Sequence, residues 1–163
     1  MNIFEKTYLK IILESTDNIV ISKIEIDELK EALLNNLNQK LNTRNITKYF
    51  ADNVECYALK NNNVIKAICI VSIKNNICFI KELTCLESGH EYSKQLLKYM
   101  LNQPFKLIYL CADWTSSDKL IAFYKNQIFN LTEYVSRSGI HWFYKNRMMT
   151  KDNMNNFKNK YYF

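Results

Sequence analysis

Apolar and polar residues recur with different periods along the chain, and these periods predict its secondary structure. Residues 19–25 (IVISKIE) have the pattern of a strand. After Asp27, leucines recur every fourth residue among Asn, Gln and Lys, which predicts an amphipathic helix. These leucines are Leu29, Leu33, Leu37 and Leu41. Residues 3–14 also have helical spacing, although a strand over 8–13 fits them as well, and residues 44–52 stay unassigned.

Three strand-like runs follow in the middle of the chain. They are 54–60 (VECYALK), 64–73 (VIKAICIVSI) and 77–84 (ICFIKELT), and only the short segments NNN and KNN separate them. Gaps of this length that are rich in Asn are typical of β-hairpins. We therefore predict that the three strands are antiparallel neighbours.

The second half of the chain predicts two helices and three further strands. The helices cover about 90–101 and 117–127, and the strands cover 106–113, 128–136 and 140–146, of which the last two meet near Ser138–Gly139. The run 105–112 (FKLIYLCA) is almost entirely apolar, and such a strand is usually covered on both faces, as in a parallel crossover. Strand 77–84, helix 90–101 and strand 106–113 then form one right-handed βαβ unit. The predicted fold is α/β (α+β), with a mixed, mostly antiparallel sheet around a central parallel βαβ unit.

The composition is consistent with one domain. The chain has 163 residues, of which 48% are hydrophobic and 13% aromatic, and this is enough for a single core. We expect one domain over 1–149, followed by a polar tail over 150–163. The segment MNIFEKTYLKIILES has no continuous apolar stretch, and no segment approaches the length of a membrane span. We therefore expect a soluble, cytoplasmic protein without a membrane partner.

Charge and cysteine content narrow the chemistry without identifying it. The net charge of +6 permits a polyanionic partner, but the lysines are spread along the sequence, which favours a solvated basic surface. The five cysteines lie in apolar runs without CxxC spacing, so we expect buried, reduced thiols. With only His90 and His141 beside them, we expect no metal site. We interpret His141, in a strand followed by aromatic residues, as a packed or surface residue.

The segment SGHEYS, residues 88–93, lies between a predicted strand and a predicted helix and contains one of only two glycines. Two interpretations fit it. The unpaired N–H groups and positive dipole end of the helix could bind a phosphate, with Lys94 adding charge. Alternatively, Ser88 and Glu91 form a capping box that occupies the same donors, and Glu91 adds a negative charge there. From the residues alone, the two interpretations have about equal weight.

The order of elements over residues 19–147 resembles the GNAT superfamily of acyl-CoA-dependent N-acyltransferases. In that family a loop of pattern R/Q-x-x-G-x-G/A opens a helix after the fourth strand and binds the CoA pyrophosphate. SGHEYS falls at this place, with small residues at Gly89 and Ser93. The Arg or Gln is missing, and Glu91 stands at the second glycine position.

Two further stretches carry the resemblance. LIAFYKNQIF, residues 120–129, looks like the family segment lYeklGF and puts Tyr124 on the family's tyrosine. HWFYKNRM, residues 141–148, looks like the family's last strand. Here the chain departs from the pattern at Ser117, where the family often has an asparagine, and at Ile128, where it has a glycine.

The resemblance implies an N-acetyltransferase that moves an acetyl group from acetyl-CoA, its co-substrate, to a primary amine by direct attack. The resemblance leaves the amine acceptor open between a small molecule and a protein, and it is compatible with a homodimer. Ser117 and the helix start would bind the cofactor, and the backbone at the end of strand 77–84 would polarise the thioester. The implied residues are Leu83, Thr84, Cys85, Ser88, Gly89, His90, Glu91, Tyr92, Ser93 and Lys94.

The resemblance also implies catalytic side chains. Tyr124 would be the general acid that gives a proton to the CoA thiolate, although Leu120, Phe123 and Tyr124 share a helical face and so also fit core packing. Glu82, on the face opposite Leu83, would be the general base. Glu87 is a second choice for the base. A strand glutamate more often pairs with a lysine or faces water.

Two other functions stay open. The altered loop favours a GNAT-like module that binds CoA, or regulates a partner, without catalysis. A small basic nucleic-acid-binding protein is the other alternative, and the aromatic and basic residues of 157–163 would suit it. Against it, the interior has the pattern of a core and no nucleic-acid motif is present, so we do not expect a nucleic-acid partner.

Overall fold

The structure is a computed structural model, and it describes residues 18–34, 53–87, 91–112 and 117–147. These residues form seven strands, three α-helices and one short 3₁₀ turn. In chain order they are β1 (Ile19–Ile24), α1 (Ile26–Leu34), β2 (Val54–Asn61), β3 (Val64–Lys74), β4 (Ile77–Cys85), α2 (Tyr92–Leu101), β5 (Leu107–Ala112), α3 (Asp118–Tyr124), the 3₁₀ turn Gln127–Phe129, β6 (Thr132–Val135) and β7 (His141–Asn146).

The seven strands form one sheet in the order β1-β2-β3-β4-β5-β7-β6. All neighbouring pairs are antiparallel except β4 and β5, which are parallel and joined through α2. The predicted βαβ unit inside a mostly antiparallel sheet is therefore confirmed. Strands β6 and β7 form the last hairpin. Strand β7 pairs with β5, and β6 lies at the edge of the sheet.

Asparagines make the two tight hairpins of the first half. Asn62 and Asn63 have φ of 51° and 65°, and Asn75 and Asn76 have φ of 52° and 62°. Two-residue hairpin turns whose twist matches the strands need positive φ at both positions, and Asn tolerates this conformation better than most residues with a side chain. The Asn-rich gaps thus form turns, as the sequence predicts.

Two cores pack on opposite faces of the sheet. Helices α2 and α3 cover one face, where Leu96 and Leu97 are fully buried against β3, β4 and β5. Burying a leucine side chain of this kind contributes about 1.5–3 kcal/mol. Helix α1 covers the other face with Leu29 and Leu33, next to Ile68 and Ile70 of β3. The residues that follow α1, with the predicted Leu37 and Leu41, lie outside the described part, as do segments 3–14 and 150–163.

The chain after α3 differs from the sequence prediction. The predicted helix 117–127 ends at Tyr124, and the predicted strand 128–136 begins only at Thr132. Between them Asn126 accepts a hydrogen bond from the N–H of Ile128 and starts the 3₁₀ turn. A side chain that bonds its own backbone competes with both helix and strand, which explains the error.

Three of the five cysteines follow the prediction and two do not. Cys56, Cys69 and Cys78 are buried, Cys85 is half-buried and Cys111 is exposed. Burial raises the pKa of the Cys56 and Cys78 thiols to about 12, so both are protonated and inert near neutral pH. In the described residues, no group of three His, Cys, Asp or Glu side chains could hold a metal ion. None of the helices described is long and apolar enough to cross a membrane.

Candidate functional site

The sheet opens between its two parallel strands. β4 and β5 are paired only where Ile77–Phe79 face Leu107–Tyr109. Beyond that point both strands continue, β4 as far as Cys85 and β5 as far as Ala112, without pairing to each other. The two neighbouring parallel strands therefore separate at their carboxyl ends, where ligands bind in open α/β sheets, and this opening is called the cleft below.

A β-bulge in β4 accompanies the opening. Val71 of β3 pairs with Ile80, and the preceding Ile70 pairs with Glu82, so Lys81 is an extra residue without a partner in β3. A bulge bends its strand and increases the local twist. Lys81 thus lies just past the last residue of β4 that pairs with β5, where a bend separates the two strands.

Alternation along β4 decides which backbone groups face the cleft. The N–H of Leu86 donates to the carbonyl of Lys66 at 2.7 Å, in register with the β3–β4 ladder. In an antiparallel ladder every second residue bonds the neighbouring strand, so Thr84 also bonds β3, whereas the N–H groups of Leu83 and Cys85 point away from it. Two of the three predicted backbone residues thus direct their amides towards the opening.

Glu82 and Thr84 lie together on the face of β4 that α1 covers. Thr84 Oγ1 donates a hydrogen bond to Glu82 Oε1 at 2.8 Å, and both residues are half-buried. Glu82 pairs with Ile70, which belongs to the core under α1, whereas Leu83 packs on the core under α2 and α3. Glu82 therefore faces away from Leu83, as strand alternation predicts.

Tyr124 is the last residue of α3 and is only 7% exposed. Its ring packs against Phe123 and Phe143, with centroids 5.3 and 5.4 Å away. Burial, and then the nearby Cys69, Glu82 and Cys111, raise the pKa of its phenol well above the usual value. The phenol is thus protonated at neutral pH, and the charged groups that act on it include Glu82, the other predicted catalytic residue. Glu82 itself faces the core under α1, on the opposite side of the sheet from the core that contains Tyr124.

The start of α2 differs from the predicted capping box. The helix begins at Tyr92, and Glu91 is itself the N-cap residue, without a side-chain capping hydrogen bond. A capping box would need Glu91 at the third helical position, so this one of the two interpretations of the segment is wrong. Instead, the Glu91 side chain is 73% exposed and pairs with Lys94 at 3.2 Å. Ser88, Gly89 and His90 lie outside the described residues.

The first turn of α2 has backbone donors without an intrahelical acceptor. The first amide that bonds within the helix is that of Gln95, which donates to the carbonyl of Glu91 at 3.0 Å. Ser93 and Lys94 precede it, so their N–H groups have no acceptor in the helix. Tyr92 is buried, and its hydroxyl accepts a hydrogen bond from Asn61 at 3.1 Å, so its side chain anchors the turn to β2.

Two other predicted residues have structural contacts. Glu87, the second choice for the base, forms an ion pair with Lys66 of β3, which is the ordinary arrangement for a glutamate near a strand. Ser117 is the N-cap of α3, and its Oγ accepts a hydrogen bond from the N–H of Leu120 at 3.3 Å.

The sequence interpretation missed a charged cluster at the rim of the cleft. His141 pairs with Ala112, the last residue of β5, and its Nδ1 lies 2.8 Å from Glu133 Oε1. Lys125 Nζ lies 3.2 Å from Glu133 Oε2. Partial burial alone would raise the pKa of Glu133, but the hydrogen bonds from His141 and Lys125 lower it overall. No sequence motif links these residues, since they come from β7, β6 and the end of α3.

Comparison with known proteins finds the fold but no close relative. No family model matches the sequence, and no curated protein matches it. The ribosomal-protein-S18-alanine N-acetyltransferase of Escherichia coli superposes with a TM-score of 0.61 and 12% identity, over 83% of this chain and 98% of that chain. A Bacteroides thetaiotaomicron protein assigned to the GNAT family of acetyltransferases gives 0.63 and 10%, over 86% and 94%.

A third structure was solved with a ligand. The Bacillus subtilis acetyltransferase in complex with CoA superposes with a TM-score of 0.57 and 14% identity, over 81% of this chain and 99% of that chain. At sequence identities this low, the structural similarity shows the fold alone. The chain therefore has the fold of the GNAT acetyltransferases, which agrees with the resemblance noted in its sequence.

Proposed function

We propose that this chain is an acyl-CoA-dependent N-acetyltransferase that transfers an acetyl group from acetyl-CoA to a primary amine. The observation that carries the proposal is the opening between β4 and β5, with the amides of Leu83 and Cys85 directed into it. An N-acetyltransferase and an acetyltransferase in complex with CoA, both of which share this fold, support it.

The pyrophosphate of acetyl-CoA would bind at the start of α2. The N–H groups of Ser93 and Lys94 and the positive end of the helix dipole favour an anion there. Ser88, Gly89, His90 and Tyr92 complete the proposed loop by position in the sequence. Ser117, the N-cap residue of α3, is a further cofactor-binding residue in the same proposal. Glu91 opposes binding, because its carboxylate is a negative charge at the N-cap and pairs with the Lys94 ammonium.

The backbone of β4 would polarise the thioester. An N–H group of Leu83 or Cys85 that donates to the thioester oxygen stabilises the negative charge that develops there during attack. The amide of Thr84 bonds β3, so it does not face the thioester. In this proposal Thr84 instead positions Glu82, to which its hydroxyl donates a hydrogen bond at 2.8 Å. Fixed donors of this kind need no reorganisation during the reaction, which makes them effective.

Glu82 and Tyr124 would carry the two protons. The neutral amine attacks the thioester carbon, and Glu82 accepts the proton that the nitrogen loses, directly or through a water molecule. The C–S bond then breaks, and the thiolate takes the proton of the Tyr124 hydroxyl. Because burial keeps this phenol protonated, it is available as an acid at neutral pH. The product amide and free CoA leave, and a proton passes from Glu82 back to Tyr124 through solvent.

Binding and turnover can be measured separately. Titration calorimetry with acetyl-CoA should give heat for the wild type, and Glu91→Gly should bind more tightly. A thiol-release assay with a panel of amines then measures transfer. If the wild type gives neither heat nor thiol, and Glu91→Gly gains nothing, the proposal fails.

A second candidate is a module that binds CoA without catalysis. The Glu91–Lys94 pair at the start of α2 favours it, because this pair neutralises a cation that would otherwise serve the pyrophosphate. Heat with acetyl-CoA, but no thiol release with any amine, would identify this case. The acetyltransferase proposal includes an acceptor that is a small molecule or a protein, and it includes a homodimer. The free cysteines favour a reducing compartment such as the cytoplasm.

A further inference from the structure

A polar pocket lies at the far end of α2, away from the cleft. Its volume is about 100 Å³, and it lies between the last turn of α2, the 3₁₀ turn and β7. Lys98 and Lys145 line it together with the amides Asn102 and Asn130. Its apolar lining is Leu101, Ile128 and Phe129, of which Ile128 is 47% exposed.

The carbonyl groups at this helix end are all satisfied by other donors. The carbonyls of Lys98 and Tyr99 accept from the N–H of Asn102 at 3.1 and 3.2 Å, and that of Met100 accepts from Gln103 at 3.1 Å. The Leu101 carbonyl accepts from Arg147 Nη2 at 2.8 Å. A lysine near a helix C-terminus often bonds these carbonyls, but here Lys98 is not needed for that purpose.

The two lysines also have no acidic partner in the described part of the chain. The ion pairs found there involve other cations, and no acidic side chain lines the pocket. Two ammonium groups that share one pocket repel each other, and a bound anion would relieve this repulsion. The asparagine amides can each donate hydrogen bonds to the same anion.

The 3₁₀ turn gives the pocket a fixed apolar wall. Asn126 bonds the N–H of Ile128, and Asn130 adopts the left-handed conformation, with φ of 50°, while its N–H donates to the Gln127 carbonyl. These bonds hold the turn while Phe129 is buried in the core. Ile128 is thereby presented to solvent beside the two lysines.

We propose that this pocket binds the phosphoryl or carboxylate group of a small organic anion. Lys98 and Lys145 neutralise the oxyanion, Asn102 and Asn130 donate hydrogen bonds to it, and Ile128 contacts the apolar part of the ligand. This site is separate from the cleft, since it lies at the opposite end of α2, and it does not depend on the acetyltransferase proposal.

Nitrogen-15 NMR of the full chain can test the site with two probes, inorganic phosphate and butyrate. We expect the amide signals of Asn102, Ile128 and Asn130 to move saturably, with half-saturation on the order of 1–10 mM. Phosphate alone would identify a phosphoryl ligand, and butyrate alone a carboxylate with an apolar substituent. The double variant Lys98→Gln/Lys145→Gln should lose the response, and the matched variant Lys119→Gln, at an exposed position of α3, should keep it.

Thermal unfolding separates this role from a structural one. Without anion, the double variant should have an unchanged or higher Tm, because two like charges are removed. A lower Tm together with a retained NMR response would mean that the lysines only support the fold, which overturns the proposal. Signals that drift linearly without saturation, or that move only in the first turn of α2, would overturn it as well. Failure of the wild type to bind acetyl-CoA would count against the proposed acetyltransferase site in the cleft and would leave the proposal for this pocket unaffected.

Discussion

The two ends of the β4–α2–β5 unit differ in how their polar groups are satisfied. At the cleft end the strands part beyond Phe79 and Tyr109, and Glu91, the N-cap residue of α2, makes no side-chain capping hydrogen bond. At the other end the strands are paired and the last carbonyls of α2 all have donors, but Lys98 and Lys145 have no acidic partner among the described residues.

The two proposals place anions at both ends of one helix for different physical reasons. At its start the backbone supplies the donors, so no single side-chain substitution removes them. At its end the dipole is unfavourable to anions, and only side chains supply positive charge. Substitutions should therefore abolish anion binding at the C-terminal pocket but only modulate it at the cleft.

The largest expected effect is at the cleft. Tyr124→Phe keeps the ring that packs on Phe143 but removes the proton, so kcat should fall about 10²–10⁴-fold while acetyl-CoA affinity and Tm stay nearly constant. Thiol release under saturating acetyl-CoA measures this. The control is Tyr99→Phe, which removes the hydroxyl of a half-buried tyrosine of α2 and should leave kcat unchanged. Unchanged turnover in Tyr124→Phe would leave this residue with packing alone.

A core substitution should affect both ends together. Leu97 is fully buried under the middle of α2, so Leu97→Ala should lower the free energy of unfolding by about 2–5 kcal/mol. Urea denaturation measures this, and Leu120→Ala, at a position that is 37% exposed, should cost much less. A loss below about 1 kcal/mol for Leu97→Ala would contradict the observed packing of α2 on the sheet.

Glu91→Gln should sharpen the contrast between the two ends. It removes a negative charge at the N-cap and releases Lys94, so acetyl-CoA should bind about 2- to 5-fold more tightly at low salt, and less so at high salt. Calorimetry at two ionic strengths measures this effect. Asp118→Asn, which removes a first-turn carboxylate from α3, is the matched control. Equal affinity in wild type and Glu91→Gln would show that the pyrophosphate does not bind at this turn.

The smallest effect concerns the ion pairs at the cleft rim. The pKa of Glu133 is lowered in the folded state, so its contribution to stability is present above the unfolded value of about 4.5 and is lost as pH falls through the folded pKa. Glu133→Gln should cost at most about 1 kcal/mol at pH 7 and nothing below the folded pKa. Urea denaturation across pH measures this, with the exposed Glu31→Gln as control. A cost that did not change with pH would exclude an electrostatic origin.

Much of the fold follows from local signals in the sequence. The Asn pairs predict the hairpins because their side chains tolerate positive φ, and the apolar run 105–112 predicts a covered parallel strand. The site is less predictable. The spacing of Ser88 and Glu91 fits a capping box, yet the helix starts one residue beyond Glu91, because the position of a helix end also depends on tertiary contacts such as the buried Tyr92.

By itself the sequence determined the order of strands and helices along the chain and the Asn-rich hairpins that join β2, β3 and β4. Only the tertiary structure decided where β4 leaves β5, that Lys81 forms a bulge, and that Lys125, Glu133 and His141 meet. The physical reason is range. Periodicity and turn propensity act between residues a few positions apart, whereas strand separation and charge clusters depend on hydrogen bonds and packing between distant segments.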